Sequence, residues 1–426
     1  MCRGNGILVS PVAQMFQSIL RRLRSLSRPA RPGQCLDIRN GLFHAPDHVI
    51  WLCLLALGVV CASTLANDRP TAKAELRVTA SYTLPLESEP KDGGTINALQ
   101  IDTGSVIVSL TGSEGGAWLI GHDETSTVKL LAAESRGDWW SDCMPGTHSA
   151  RVFIPSTLHW LGRSGSVGLF DSWCGQLLEL DLRGSSQLGH RRLVTGSSHD
   201  GFLSSITVNG STIIAGVRAN DPDMLLAVMD IHKPGTYRYA FGYGRELKPY
   251  MDSVGLYRAI CLPATYPADS TIRVAVQGYP WLFVINWSGD ICDSLPVDGP
   301  GFTLPEPPPS RIKSAAVFER WAAGWTPIHA FRCTGQGVFI LQYTLVKDED
   351  RVPVRAEFGS VAWSAEGERL QIDIPRSWQL AGTQADRVCI FGYFEKKHDK
   401  WSIELKVTEL QVDSSYVVTP QRMYSE

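Results

Sequence analysis

No two cysteines stand in Cys-x-x-Cys spacing, and no His-Glu-x-x-His segment occurs. Zinc knuckles and zinc-protease helices are therefore without a motif here. Gly-x-Ser-x-Gly is also missing, since Gly162-Arg163-Ser164-Gly165-Ser166 does not match it, so the serine-hydrolase elbow has no counterpart. Asp102-Thr103-Gly104-Ser105 resembles the catalytic turn of an aspartic protease, but no second Asp-Ser/Thr-Gly accompanies it to share a proton. It reads as a tight turn between two strands. Excess positive charge is lacking too. The net charge is −3, which argues against a binder of phosphate backbones.

Lysine is absent from residues 1–66, which carry seven Arg and two Asp. After this Arg-rich stretch, residues 49–65 (VIWLCLLALGVVCASTL) hold no charge. A positive segment, an apolar run and small residues at Thr64 and Ala66 form an export signal, with cleavage expected before Asn67. The same run is near the lower length limit of a spanning helix, so an uncleaved N-terminal hydrophobic helix is the alternative, with the rest of the chain outside the cytoplasm. Lipidation at Cys61 is a third reading, with Gly58-Val59-Val60 a poor match to its usual pattern. The expected location is the periplasm, or the inner membrane if the anchor is kept. Beyond the leader, Cys143, Cys174, Cys261, Cys292, Cys333 and Cys389 are even in number, which permits disulfides in an oxidising compartment. Burial as small apolar residues is the competing account.

What the chain does have is a repeated strand pattern. Residues 272–298 contain three short strands: Ile272–Gln277, Trp281–Asn286 after a Tyr-Pro break, and Ile291–Val297 after Trp287-Ser288-Gly289-Asp290. A strand over Tyr257–Ala264 would complete a four-stranded meander. The leading doublet of this unit recurs. Its copies are Ile96–Asp102 with Ser105–Leu110, Ser156–Gly162 with Val167–Asp171, Phe202–Val208 with Thr212–Val217, Tyr257–Leu262 with Ile272–Gln277, Ile328–Cys333 with Gly337–Tyr343, and Trp378–Gly382 with Arg387–Tyr393. Further hairpins follow, as at Leu177–Leu182, Trp281–Asn286 and Val361–Ser364, with glycine in the turns.

Repeats of four short strands are the signature of a propeller. The expected fold is all-β, a six-bladed β-propeller over residues 67–426 behind the leader of residues 1–66. A lone strand at Glu75–Leu86 would close the ring by pairing near Ser402–Val412. One short inserted helix is expected over 310–325, capped by Ser310 and burying Ile312, Ala315, Ala316, Phe318 and Ala322, after the Pro-rich segment 296–309. Leu177-Leu178-Glu179-Leu180-Asp181-Leu182-Arg183-Gly184, with strands ending in Asp or Gly before an apolar strand, resembles the exported bacterial six-bladed propellers of the TolB-like and NHL-like group. The resemblance spans about residues 75–415 and implies a fold rather than an activity.

The candidate site residues follow from that architecture. Propeller lactonases gather Glu, Asn and Asp from innermost strands around a calcium-like ion. Here the equivalent region offers Asn97, His159, Asn209, Arg258 and His329, with no carboxylate at matching positions. His159, Arg258 and His329 suit an anionic or polar ligand better, and hydrogen bonds between neighbouring blades are the structural alternative. Trp139 and Trp140 are adjacent on the chain, so on a strand they would face opposite ways and one could be exposed for stacking. Trp160, Trp173, Tyr279 and Trp281 are weaker aromatic candidates. Asn209-Gly210-Ser211 and Asn286-Trp287-Ser288 match glycosylation acceptors but fall in expected turns.

The sequence thus points to an exported binding or interaction module without catalysis of its own and without metal or cofactor. Its partner would be a protein, peptide or small molecule at the central channel or a loop face, not nucleic acid. The alternatives are a propeller enzyme, either a metal-dependent lactonase-like hydrolase or a dehydrogenase-like one, and a membrane-anchored envelope component.

Overall fold

The computed structural model describes residues 72–412, except 91–93, 103, 111–115, 122–126, 133–154, 162–165, 172–175, 182–189, 195–201, 219–223, 232, 234–236, 243–248, 251–252, 254–260, 267–268, 304–311, 313, 323–325, 346–355 and 385–386. The leader with its hydrophobic run 49–65, Cys143 and Cys174 lie outside the described residues. Among those described, no helix is long and apolar enough to cross a membrane.

The chain begins with the strand Ala72–Pro85 (β1) and then builds antiparallel four-strand meanders. Ile96–Asp102, Ser105–Leu110, Gly116–Gly121 and Thr127–Ala132 (β2–β5) form the first. Pro155–Trp160, Ser166–Asp171, Gln176–Asp181 and His190–Val194 (β6–β9) form the second. Phe202–Asn209, Thr212–Arg218, Met224–Asp230 and Tyr237–Gly242 (β10–β13) form the third. Cys261–Thr265, Thr271–Val276, Trp281–Asn286 and Ile291–Pro296 (β14–β17) form the fourth. A helix, Ala315–Ala322 (α1), precedes Ile328–Cys333, Phe339–Leu345, Glu357–Trp363 and Arg369–Ile372 (β18–β21), then Gln379–Thr383, Val388–Lys397 and Lys400–Val412 (β22–β24).

These last two groups are joined by β1 into one eight-stranded sheet. Residues Ala72, Lys73 and Ala74 pair in parallel with Leu370, Gln371 and Ile372 of β21. From Ala74↔Val412 to Pro85↔Ser402, β1 runs antiparallel to β24. One N-terminal strand therefore completes the sheet edges of two successive units, leaving neither edge open there.

The first strands of the units touch in cyclic order, β2 to β6 to β10 to β14 to β18 to β22 and back to β2. That ring makes the fold a β-propeller. The apolar clusters lie between successive sheets. Leu99, Ile107 and Ala117 pack with Leu158, Val167 and Leu169. Ile214, Leu226 and Val228 pack with Ile272, Val274 and Phe283. Ala264, Ala275 and Leu282 pack with Phe331, Phe339 and Tyr343. Both faces of an inner strand are covered in this way. Hence β3 (SVIVSL) and β15 (TIRVAV) are buried nearly throughout, not alternately, while the outer β17 (ICDSLP) is mostly exposed. Each fully buried Ile, Val, Leu or Phe contributes about 1.5–3 kcal/mol.

Two elements differ from the sequence reading. The strand expected over Tyr257–Leu262 is seen over Cys261–Thr265, continuing through Pro263, while residues 257–260 lie outside the described residues. Proline is tolerated because β14 pairs with β15 on one side only within its sheet, so no second ladder needs the missing N–H. The helix expected over 310–325 is seen as Ala315–Ala322, with Ile312 and Ser314 not helical and residues 323–325 outside the described residues. Its cap is Ser314, whose Oγ accepts from the Val317 amide at 3.4 Å. Ala316 and Val317 are exposed, and Ile312 is buried ahead of the helix rather than on its face.

Candidate functional site

Side chains from three innermost strands, of which two are neighbours and the third adjoins neither, lie towards the axis. Asn97 lies on β2, His159 on β6 and Arg332 on β18. An Arg332 guanidinium Nη donates to Asn97 Oδ1 at 3.3 Å. In the ring β22 stands between β18 and β2, so this side chain reaches past the neighbouring sheet. Asn97 is 1% exposed. Arg332 is partly open to solvent. Burial lowers the Arg332 pKa to about 10, leaving the group charged at neutral pH.

His159 and His329 both feel that charge. Burial first, and the Arg332 charge second, hold His159 down to about 3 and His329 down to about 4. Both rings are neutral at pH 7. His159 Nε2 shares a hydrogen bond of 2.8 Å with Thr157 Oγ1. His329 occupies a break in register, because Ile328 pairs with Tyr343 and Ala330 with Gln342. Such a bulge re-aims the side chain. The ring lies 4.9 Å, centroid to centroid, from Phe358, and its buried Nε2 has no hydrogen-bond partner in the structure. Similar breaks interrupt β6, β10 and β22.

Of the candidates read from sequence, His159 and His329 are both within electrostatic reach of one cation, Arg332. Arg258, Trp139, Trp140 and Trp173 lie outside the described residues. Asn209 sits at the β10–β11 turn, not at this cluster. Trp160 packs on the apolar cluster between the first and second sheets. Tyr279 stacks on Phe283 at 5.4 Å, whereas Trp281 and Trp287 are exposed. Asp102 is a turn residue. Its Oδ1 accepts from the Gly104 amide at 2.7 Å and the Ser105 hydroxyl at 2.9 Å, which holds its carboxyl below the ordinary range.

Arg332 escaped the sequence reading. Its signal was present, a lone charge between Phe331 and Cys333 in an apolar strand. Cys261, Cys292, Cys333 and Cys389 are not joined to one another by disulfides. Burial pushes Cys261 and Cys389 up to about 12, so they act as small core residues rather than nucleophiles. Among the described residues no group of His, Cys, Asp and Glu is arranged to hold a metal ion.

Inter-sheet glutamines fix the scaffold around the site. Gln342 on β19 accepts from the Leu380 amide at 2.6 Å and donates to the Trp378 carbonyl at 2.9 Å. Gln277 accepts from the Ile328 amide at 2.8 Å and donates to the carbonyl of the same residue at 2.5 Å. Gln379 accepts from the Ile96 amide at 2.7 Å. Each amide acts as a short piece of strand for the next sheet, fixing the inner ends from which Asn97, His329 and Arg332 project.

No family description matches the sequence, and no curated protein matches it. Solved structures do. A member of the duf4221 family from Bacteroides vulgatus aligns with a TM-score of 0.51 at 10% identity, over 80% of this chain and all of that one. A calcium-binding protein, regucalcin, from Agrobacterium tumefaciens aligns at 0.40 and 9% identity, over 78% and 95% of the two chains. The WD40 β-propeller domain of Doa1 aligns at 0.39 and 12% identity, over 78% and 97%. At such identities the likeness to the Bacteroides structure is one of fold alone.

Proposed function

We propose that the chain is an exported six-bladed β-propeller that binds a small polar ligand at its axis and catalyses no reaction of its own. The count of blades takes β22–β24 with β1 as the last unit. Support for export is the Arg-rich segment followed by the uncharged run 49–65.

One observation carries the binding reading. Arg332 reaches Asn97 from a separate sheet, its charge acts on His159 from a third, and it keeps part of its surface open to solvent. The donor set decides the chemistry. One guanidinium, one amide and two neutral imidazoles offer a hard cation a single oxygen, the Asn97 carbonyl that already accepts from Arg332, and no carboxylate. General acid–base work at neutral pH needs a group titrating near 7, whereas both imidazoles are held far below it. Hydrogen bonding and charge complementarity remain as what the site can do.

The test is a thermal-melt survey of the purified chain against small neutral, cationic and anionic compounds and calcium. A ligand of the native state raises the melting temperature saturably. The expected result is a saturable rise with one class of small organic compound or anion and none with calcium. A saturable response to calcium alone would overturn the reading in favour of a metal-dependent propeller. Mass spectrometry of the mature N-terminus tests export, with a start at Asn67 expected.

A further inference from the structure

The axial cluster has one uncompensated charge. Among the described residues Arg332 makes no ion pair, its only side-chain bond being the one to the Asn97 oxygen. Burial is what lowers its titration, and among the described residues no carboxylate acts on it. A half-buried charge without a counter-charge is incompletely solvated, and an anionic partner would complete it. Two more polar groups face the same region. The His329 Nε2 is buried and without a partner, and the His159 ring lies within electrostatic reach of the guanidinium. Neither imidazole can be the missing counter-charge, since neutral rings only donate or accept hydrogen bonds. Asp298 is paired with Arg369 at 3.1 Å, and Glu357 with Arg376 at 3.7 Å, so neither serves Arg332.

The geometry points to a small oxyanion as the axial ligand, a carboxylate or phosphate group seated against Arg332 with His329 and His159 as neutral hydrogen-bonding walls. A guanidinium presents parallel N–H donors that fit two oxygens of either group. Asn97 holds the Arg332 side chain across the axis and so positions the fork. This inference rests on the axis being the binding site and adds the class of ligand to it.

Binding is measured by calorimetry and thermal melting with sodium phosphate and sodium acetate, each against sodium chloride at matched ionic strength. The full chain without its leader is compared with Arg332→Gln, Arg332→Lys and Asn97→Asp. The last variant supplies a carboxylate to the guanidinium from within, so it blocks the site while keeping the buried charge satisfied. It remains informative if Arg332→Gln fails to fold. The expected result is saturable binding of at least one oxyanion over chloride. Arg332→Gln and Asn97→Asp should weaken it by about tenfold to a hundredfold, as for loss of one charge-assisted contact, and Arg332→Lys by less. Preference for phosphate assigns a phosphorylated ligand, and equal or better binding of acetate assigns a carboxylate. Absence of saturable binding by both anions overturns the inference. If a neutral compound then still binds in a manner that Arg332→Gln abolishes, the axis stands as the site and only the class of ligand is wrong. If no binding depends on Arg332, both readings fall.

Discussion

Replacing Gly382 by alanine would place a methyl group 2.1 Å from the carbonyl oxygen of Ala98. A carbon and a carbonyl oxygen rest at about 3.3 Å or more, so β22 and β2 must part locally by about 1 Å. The obstacle is backbone on both sides. Gly382 follows a register break in β22, where Leu380 pairs with Phe391 and Gly382 with Ile390. Ala98 sits inside β2, tied to β3 through Val108. Neither strand can yield by rotating a side chain. Overpacking of this kind costs about 3 kcal/mol, at the upper end of the usual range. Alanine also reduces the freedom of the unfolded chain, which offsets about 0.7 kcal/mol. The expected net loss is about 2 kcal/mol, read as a lower urea midpoint at unchanged slope. Gly168→Ala is the control. There the nearest atoms are Leu161 Cδ2 at 2.6 Å and Leu177 Cδ1 at 3.0 Å, the ends of side chains that can turn away. Its loss should be smaller, about 1 kcal/mol. A Gly382→Ala midpoint within about 0.5 kcal/mol of the parent would refute the close approach of β22 to β2, and with it the tight closure of the inner ring.

Gln342→Leu leaves the buried Leu380 amide and the Trp378 carbonyl without partners, and should cost about 2–3 kcal/mol in denaturant titration, against less than about 0.5 kcal/mol for the exposed Gln336→Leu. Deleting residues 72–85 strips β24 of its partner from Ser402 to Val412 and opens the edge of β21, so the truncated chain should lose its cooperative melt or associate, as light scattering would show. His329 links stability to pH. The unfolded chain takes up its proton near 6.5 but the folded ring only near 4, so below 6.5 the unfolded state binds more protons. Stability is full above pH 6.5 and falls as pH drops towards 4, by at most about 3 kcal/mol at ~1.4 kcal/mol per pH unit. His159 acts in the same direction over a window reaching to about 3. His329→Gln should flatten this acid limb, and an unchanged slope would show that the ring is not buried as a neutral group.

Much of the strand pattern was legible because strands and turns are local. Ile96–Asp102 and Ser105–Leu110 read correctly to the residue, since β-branched runs bracketed by Asp-Thr-Gly leave little alternative. Gly289 and Gly367 take φ of 91° and 89°, the left-handed turns their positions implied. The start of α1 was misplaced by residues because Ser310 and Ser314 are equivalent as caps in sequence, and packing selects between them.

The chain by itself determined a repeating all-β array, an uncharged run behind an Arg-rich start, and the absence of the common hydrolase and zinc motifs. Those properties depend on spacing and composition alone. The tertiary structure decided what sequence distance conceals. Asn97 and Arg332 are separated by 235 positions and share a hydrogen bond. Gln342 serves the backbone of a strand 38 positions on. Burial on two faces turned expected alternation into continuous core. A side chain's charge state and partner follow from which strands the closed ring brings to its axis, and a ring is a property of all its sheets together.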